Sequence, residues 1–190
     1  ADVTAQAEVE AAVAATLETF GRLDVLVNSA GGFRRRVPTW EMPVEEWDEV
    51  VDANLKGVFL CCRAAVPPML EAGYGRIVNV SSGAGRAITH ISASHYAAAK
   101  SGVLGFTRHL AREVADRGVT VNAVAPGTTL TPRIEQLYDE RRREAMAAEI
   151  PIGRLAVPDD NVAPIVFLAS EGARYVTGVT LDVVGGRYLI

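Results

Sequence analysis

Four short apolar runs, each closed by turn-forming residues and separated by helix-length segments, limit what this chain can fold into. The runs are Leu23-Asp-Val-Leu-Val27, Arg76-Ile-Val-Asn-Val80, Val119-Thr-Val-Asn-Ala-Val124 and Val179-Thr-Leu-Asp-Val-Val184. They are rich in β-branched residues and short, which favours buried strands over helices. Between them the pattern turns helical. Residues 5–20 carry Val9, Val13, Leu17 and Phe20 as one apolar stripe, with Thr4 placed to cap the start and Gly21 to end it. Further helices are expected after Pro43 through Trp47, Val50 and Val51, and over 54–70, 94–114, 131–150 and 158–168. Pro67-Pro68 is expected to kink the 54–70 helix or end it early. Strands alternating with helices imply βαβ units. The expected fold class is therefore α/β, a doubly wound, Rossmann-like parallel sheet in one domain over residues 1–190.

Composition removes several function classes. A net charge of -4 argues against a partner made of nucleic acid or anionic membrane. No apolar run is long enough to span a bilayer. The start, Ala1-Asp2-Val3-Thr4, lacks the basic and apolar regions of a signal peptide. Cys61 and Cys62 are adjacent, so a mutual bridge would be strained; they read as small apolar helix residues in a reducing compartment, with the cytoplasm as the expected location. No residue cluster has metal-ligand spacing, so no metal is expected.

In an open parallel sheet, ligands bind beyond the carboxyl ends of the strands. Asn28-Ser-Ala-Gly31 follows the first run, Ser81-Ser82 the second and Pro126-Gly127-Thr-Thr-Leu-Thr131 the third. Turn chemistry could explain each alone. It does not explain all of them beside Tyr96-Ala-Ala-Ala-Lys100. Positions four apart share a helix face, roughly 6 Å from each other. A phenol ordinarily titrates near pH ~10, and an adjacent ammonium is expected to lower that value and make Tyr96 a usable proton donor and acceptor. Only Lys56 and Lys100 are lysines among 19 Lys+Arg, so a lysine here answers a need for a compact ammonium.

These residues resemble the short-chain dehydrogenase/reductase family. The resemblance rests on Asn28-Ser-Ala-Gly31, Asn54 in Asp-Ala-Asn-Leu-Lys-Gly, Ser82 in Ile-Val-Asn-Val-Ser-Ser, Tyr96 with Lys100, Val121-Asn-Ala-Val-Ala-Pro-Gly127 with Thr131, and Tyr175-Val-Thr-Gly178. It covers nearly the whole chain. It implies an oxidoreductase using NAD or NADP on a small-molecule alcohol or ketone. Tyr96 would be the general acid/base and Ser82 would hydrogen-bond the same substrate oxygen. Lys100 would hold the nicotinamide ribose, and Asn54 would hold a relay water. Ser82 is preferred to Ser81 because the family's serine is normally the one nearer the loop. Cofactor contacts are implied at Asp2, Val3, Asn28, Ala30, Gly31, Tyr96, Lys100, Pro126, Gly127, Thr129 and Thr131. A homodimer or homotetramer is implied, pairing through the helices at 54–70 and 94–114, with residues 186–190 at a second interface.

The family's Gly-rich phosphate loop has no counterpart. Gly83-Ala-Gly85-Arg-Ala-Ile88 follows a strand but lacks the third glycine and a following helix, so it reads as a decoy. By resemblance, Asp2-Val3 matches the segment after the third strand of a complete member. The earlier strands are expected in a longer protein, and the strand at 23–27 should present an unpaired apolar edge. An inactive truncated scaffold, and non-redox chemistry such as a dehydratase or epimerase, are the alternatives. The substrate pocket is expected to be lined by Phe33 and residues 83–91 and 128–150. Arg34, Arg35, Arg36 and Arg86 could favour an anionic substrate, although arginine is this chain's usual surface cation. His95 is expected to pack or face solvent, His90 to lie near the site, and His109 to be structural. Arg141-Arg-Arg143 reads as the polar face of a lid helix.

Overall fold

The structure, a computed structural model, describes residues 1–88 and 92–188. Its elements run α1 (Gln6–Phe20), β1 (Val25–Asn28), α2 (Val44–Val51), a π-helical turn (Asp52–Lys56), α3 (Gly57–Ala72), β2 (Gly75–Val80), α4 (Ser94–Val114), β3 (Val119–Pro126), α5 (Pro132–Leu137), α6 (Glu140–Ala148), α7 (Pro158–Ala169) and β4 (Thr180–Val183). The four strands form one parallel sheet in the order β1-β2-β3-β4. Consecutive strand residues point to opposite faces. Ile77, Val119 and Val121 therefore meet Cys62, Ala65 and Met69 of α3 and Val103 and Leu110 of α4 on one face. Val78 and Val124 meet Leu168 of α7 on the other. The doubly wound α/β expectation holds. As expected, β1 has a partner on one side alone among the described residues. Its Val25 and Val27 are 39% and 42% exposed.

Several local expectations are corrected. Thr4 does not cap α1: the cap position is Ala5, and the Thr4 hydroxyl donates to Asp2 Oδ1 at 2.8 Å. Phe20 leaves the apolar stripe and is 73% exposed. The helix over 54–70 neither ends at Pro67-Pro68 nor starts as a plain α-helix; a π turn precedes it and α3 runs on to Ala72. Burial of Ala65 and Met69 on either side of Pro67 and Pro68 holds that turn in place against the missing amide donors. The single helix over 131–150 divides into α5 and α6 at Tyr138–Asp139, where Asp139 Oδ1 accepts from Arg142 N at 2.8 Å and starts a new helix. Both cysteines are free, and burial pushes the Cys62 thiol up to about 12, in keeping with their reading as apolar helix residues. His109 lies mid-helix with its side chain exposed, 3.2 Å from Glu113 one turn on. No helix among the described residues is long and apolar enough to cross a membrane.

Candidate active site

The centre of the site is where β2 ends. Ser81 and Ser82 are adjacent on an extended backbone, so their side chains diverge. Ser81 is buried and donates to the Lys100 carbonyl at 2.8 Å, fastening β2 to α4. Ser82 turns the other way. Its Oγ accepts from Ala84 N at 3.1 Å, and the side chain sits near enough to the Tyr96 hydroxyl to favour the phenolate. The resemblance favoured Ser82, and the alternation along the strand sends it, not Ser81, to the cleft. Gly83–Gly85 is a short 3-10 turn and not a phosphate cradle. A Cβ on Gly85 would lie 2.7 Å from the Lys100 backbone, so only glycine lets this turn rest on α4.

Tyr96 and Lys100 share one face of α4, with the ammonium 5.7 Å from the phenol ring centroid. Phe33 packs on the other side of the ring, centroids 4.7 Å apart. The expected electrostatics are overturned. Tyr96 titrates above the ordinary phenol value, because burial penalises the phenolate more than the Ser82 hydrogen bond and the Arg133 charge favour it. Lys100 does not lower it. The ammonium is itself buried, which pushes its pKa down to about 8, and it donates to the Val80 carbonyl at 2.9 Å.

That burial has a stability consequence. The folded chain holds Lys100 at about 8, below the ordinary lysine value of 10.5. Below both values the folded state carries a desolvated charge that the unfolded state does not. Stability from this group therefore rises as pH passes from about 8 towards 10.5, since the unfolded chain binds more protons there. Lys100→Met is expected to be at least as stable as the parent at pH ~7, with the parent gaining on it through that alkaline window. Urea denaturation at both pH values checks this; a constant gap would sink it.

Asn54 is fully buried in the π turn. Its Oδ1 accepts from Gly32 N at 2.8 Å, and its Nδ2 donates to Gly32 O at 2.7 Å and Val50 O at 2.8 Å. The side chain thus clamps the loop after β1 onto α2. Gly31 makes this possible: it has φ +128°, and a Cβ there would lie 2.9 Å from Asn54 Cγ. Asn28 is buried at the end of β1, where its Nδ2 donates to Asn79 Oδ1 at 2.8 Å. Ala30 lies exposed in the same loop. Asp2 is committed to the Thr4 amide and hydroxyl, both at 2.8 Å, and Val3 packs against Gly57 at the start of α3.

Ser82, Tyr96, Pro126, Gly127, Thr129 and Thr131 come together around a cleft of about 320 Å³. Asp2, Val3, Asn28, Ala30, Gly31, Asn54 and Lys100 do not line it. Thr129 Oγ1 accepts from Asn161 Nδ2 at 3.0 Å, and Thr131 caps α5. Phe33, Gly83, Ala84, Thr128, Ile134 and Leu137 line the cleft as expected; Thr89, His90, Ile91, Leu189 and Ile190 lie outside the described residues. Arg86 does not line it, being held by Asp182 in three hydrogen bonds of 2.9–3.2 Å. His95 is buried; its Nδ1 accepts from Tyr96 N at 2.8 Å, supplying α4 with a cap from its own first turn. Arg133 lines it within the expected 128–150 segment, whereas Arg187 and Tyr188 were missed as cleft residues. No spacing could have found them, because loops distant in sequence deliver them.

A family profile described as enoyl-(acyl carrier protein) reductase matches residues 1–187. The chain is 43% identical over 186 residues to 2-dehydro-3-deoxy-L-rhamnonate dehydrogenase (NAD(+)) of Sphingomonas sp. (strain SKA58), covering 98% of this chain and 74% of that protein. It is 44% identical over 189 residues to the 3-oxoacyl-(acyl-carrier-protein) reductase FabG of Staphylococcus aureus (strain Mu50), covering 100% of this chain and 76% of that one. Among solved structures, levodione reductase superposes with a TM-score of 0.92 at 39% identity, over 98% of this chain and 75% of its own. ElxO with NADP bound superposes with a TM-score of 0.93 at 32% identity, over 98% and 76%. With the sequence matched over nearly its full length and the fold matched alongside it, the chain belongs to the short-chain dehydrogenase/reductase family.

Proposed function

We propose that the chain is an NAD(P)-dependent oxidoreductase that interconverts a hydroxyl and a carbonyl on a small molecule, with Tyr96 as general acid/base. The observation that carries this reading is that Ser82 and Tyr96 line the same cleft, with the Ser82 side chain close enough to favour the Tyr96 phenolate. Two hydroxyls aimed at one space can share a substrate oxygen: one polarises it while the other passes the proton. The residues fit the nicotinamide half of a dinucleotide. An ammonium has three donors, and Lys100 spends one on Val80 O, which leaves two beside Tyr96 for ribose hydroxyls. Pro126, Gly127, Thr129 and Thr131 would border the same nucleotide, with Gly31 and Ala30 in the neighbouring loop. When bound, the nicotinamide supplies or accepts the hydride. Tyr96 gives its proton to the substrate oxygen in reduction and takes it back in oxidation. Ser82 holds that oxygen in place. Asn54 acts by fixing the loop that carries Phe33, and with it the ring packed at a tilt against Tyr96.

The relatives' names include both an NAD(+) enzyme and a structure with NADP bound, so either nicotinamide is proposed. A cytoplasmic homodimer or homotetramer is proposed as well. Exposed Phe59 on α3 meets Phe106 on α4 edge to face at 6.4 Å, and this apolar patch would suit such pairing. The test is fluorescence titration with NADH and NADPH, followed by nicotinamide absorbance in the presence of ketones. Saturable binding with carbonyl-dependent loss of absorbance is expected. Binding without turnover of any carbonyl would favour the scaffold or the non-redox alternatives.

A further inference from the structure

The chain carries a net charge of -4, yet five arginines and no carboxylate line the cleft beside Tyr96. Three of these arginines are neutralised close by. Arg34 pairs with Glu49 and Arg35 with Glu46, each at 2.7 Å, and Arg187 pairs with Glu149. Arg36 and Arg133 form no ion pair among the described residues. Arg133 instead donates to the backbone carbonyls of Phe33 and Arg34, and its guanidinium carbon lies 5.6 Å from the Phe33 ring centroid. Phe33 in turn packs on Tyr96. An uncompensated, well-oriented cation therefore stands one aromatic ring away from the proposed proton donor. Partners that are neutral carbonyls leave its full charge to act on whatever enters the cleft. Ile134 and Leu137 add an apolar wall.

We propose that the cleft selects a low-molecular-weight oxo or hydroxy acid, whose carboxylate is held by Arg133 with help from Arg36 while its reacting carbonyl meets Tyr96 and Ser82. This deepens the oxidoreductase reading and rests on it. Pro126, Gly127, Thr129 and Thr131 of the cleft border the proposed nucleotide, so the part of its space of about 320 Å³ that is left for substrate suits a free acid of a few carbons. The balance is simple: the acid's carbonyl carbon gains a hydride, its oxygen gains the Tyr96 proton, the carboxylate is unchanged, and water re-protonates Tyr96.

The experiment compares four- to six-carbon oxo acids with their methyl esters, a neutral cyclic ketone and an acyl thioester carrying a phosphopantetheine phosphate. The acids are expected to exceed their esters in kcat/KM by about tenfold or more, as a charge-assisted contact provides. Arg133→Gln should collapse the acid-to-ester ratio to near one, Arg133→Lys should keep part of it, and Arg36→Gln should lower it less. Calorimetric titration with the matching hydroxy acids should give the same ordering without turnover. Equal use of acid and ester, an unchanged ratio in Arg133→Gln, or preference for the phosphorylated thioester overturns the proposal. A change in cofactor affinity alone in Arg133→Gln does so too. Reduction of the neutral ketone alone would overturn it while leaving the oxidoreductase reading intact; reduction of nothing would overturn that reading instead.

Discussion

Tyr96→Phe is expected to lower kcat/KM for carbonyl reduction by about 10²–10⁴-fold, the range a positioned general acid supplies. Cofactor affinity should change little, because Lys100 is anchored by Val80 O and not by the phenol. The fold should persist as well. Phenylalanine keeps the packing against Phe33, and Ser82 Oγ retains its bond from Ala84 N. The pH dependence follows from the upward shift of Tyr96 by burial. Reduction uses the protonated phenol, so its rate should be flat through neutrality and fall only on the alkaline side. Oxidation uses the phenolate and should rise with pH. Near-ultraviolet titration of the cofactor-free chain should show Tyr74, beside Glu171, and the buried Tyr96 ionising later than an ordinary tyrosine, and the Tyr96 part should vanish in Tyr96→Phe. Substantial residual turnover would mean that another group delivers the proton.

Asn54→Ala is expected to be the most damaging small substitution for stability. In the π turn the helical pairing slips by one residue, and Asn54 Nδ2 takes up the Val50 carbonyl. The same side chain closes two bonds to Gly32. Alanine removes three hydrogen bonds to backbone groups at once. A buried unpaired group costs about 1–3 kcal/mol, and Gly32 is partly open to water, so the total should be about 3 kcal/mol. For a chain of this size that is a fall in Tm of about 6–12 °C. Turnover should fall in the molecules that remain folded, since the loop bearing Phe33 loses its clamp. Calorimetry and urea titration measure the first effect, and rates per folded molecule the second. An unchanged Tm would show that water replaces the clamp without loss.

The two predictions differ in how much of their basis was visible in the amino-acid order. Tyr96 and Lys100 were legible because an α-helix fixes the relation of residues four apart, and Ser94–Val114 forms as read. The sheet was legible for a similar reason. Each apolar run is a local pattern, and parallel pairing follows once helices separate the strands. Asn54 was found through resemblance alone. Its clamp on Gly32 joins residues 22 positions apart, and no local rule foretells it. The Asn28 hydrogen bond was invisible for the matching reason: its partner Asn79 is 51 residues away, and only the paired strands bring them together. The break between α5 and α6, and the passage of α3 through Pro67 and Pro68, are likewise decided by what each segment buries.

The amino-acid order by itself determined the alternation of strand and helix, and the facing of phenol and ammonium on α4, because both depend on chemistry within a few residues. The folded chain alone decided the sign of the Tyr96 shift, the tying of Ser81 to the Lys100 carbonyl, and the gathering of unneutralised Arg36 and Arg133 at the cleft. Burial and long-range proximity exist only once distant segments have packed, and desolvation, unlike helical spacing, has no signature in a string of residues.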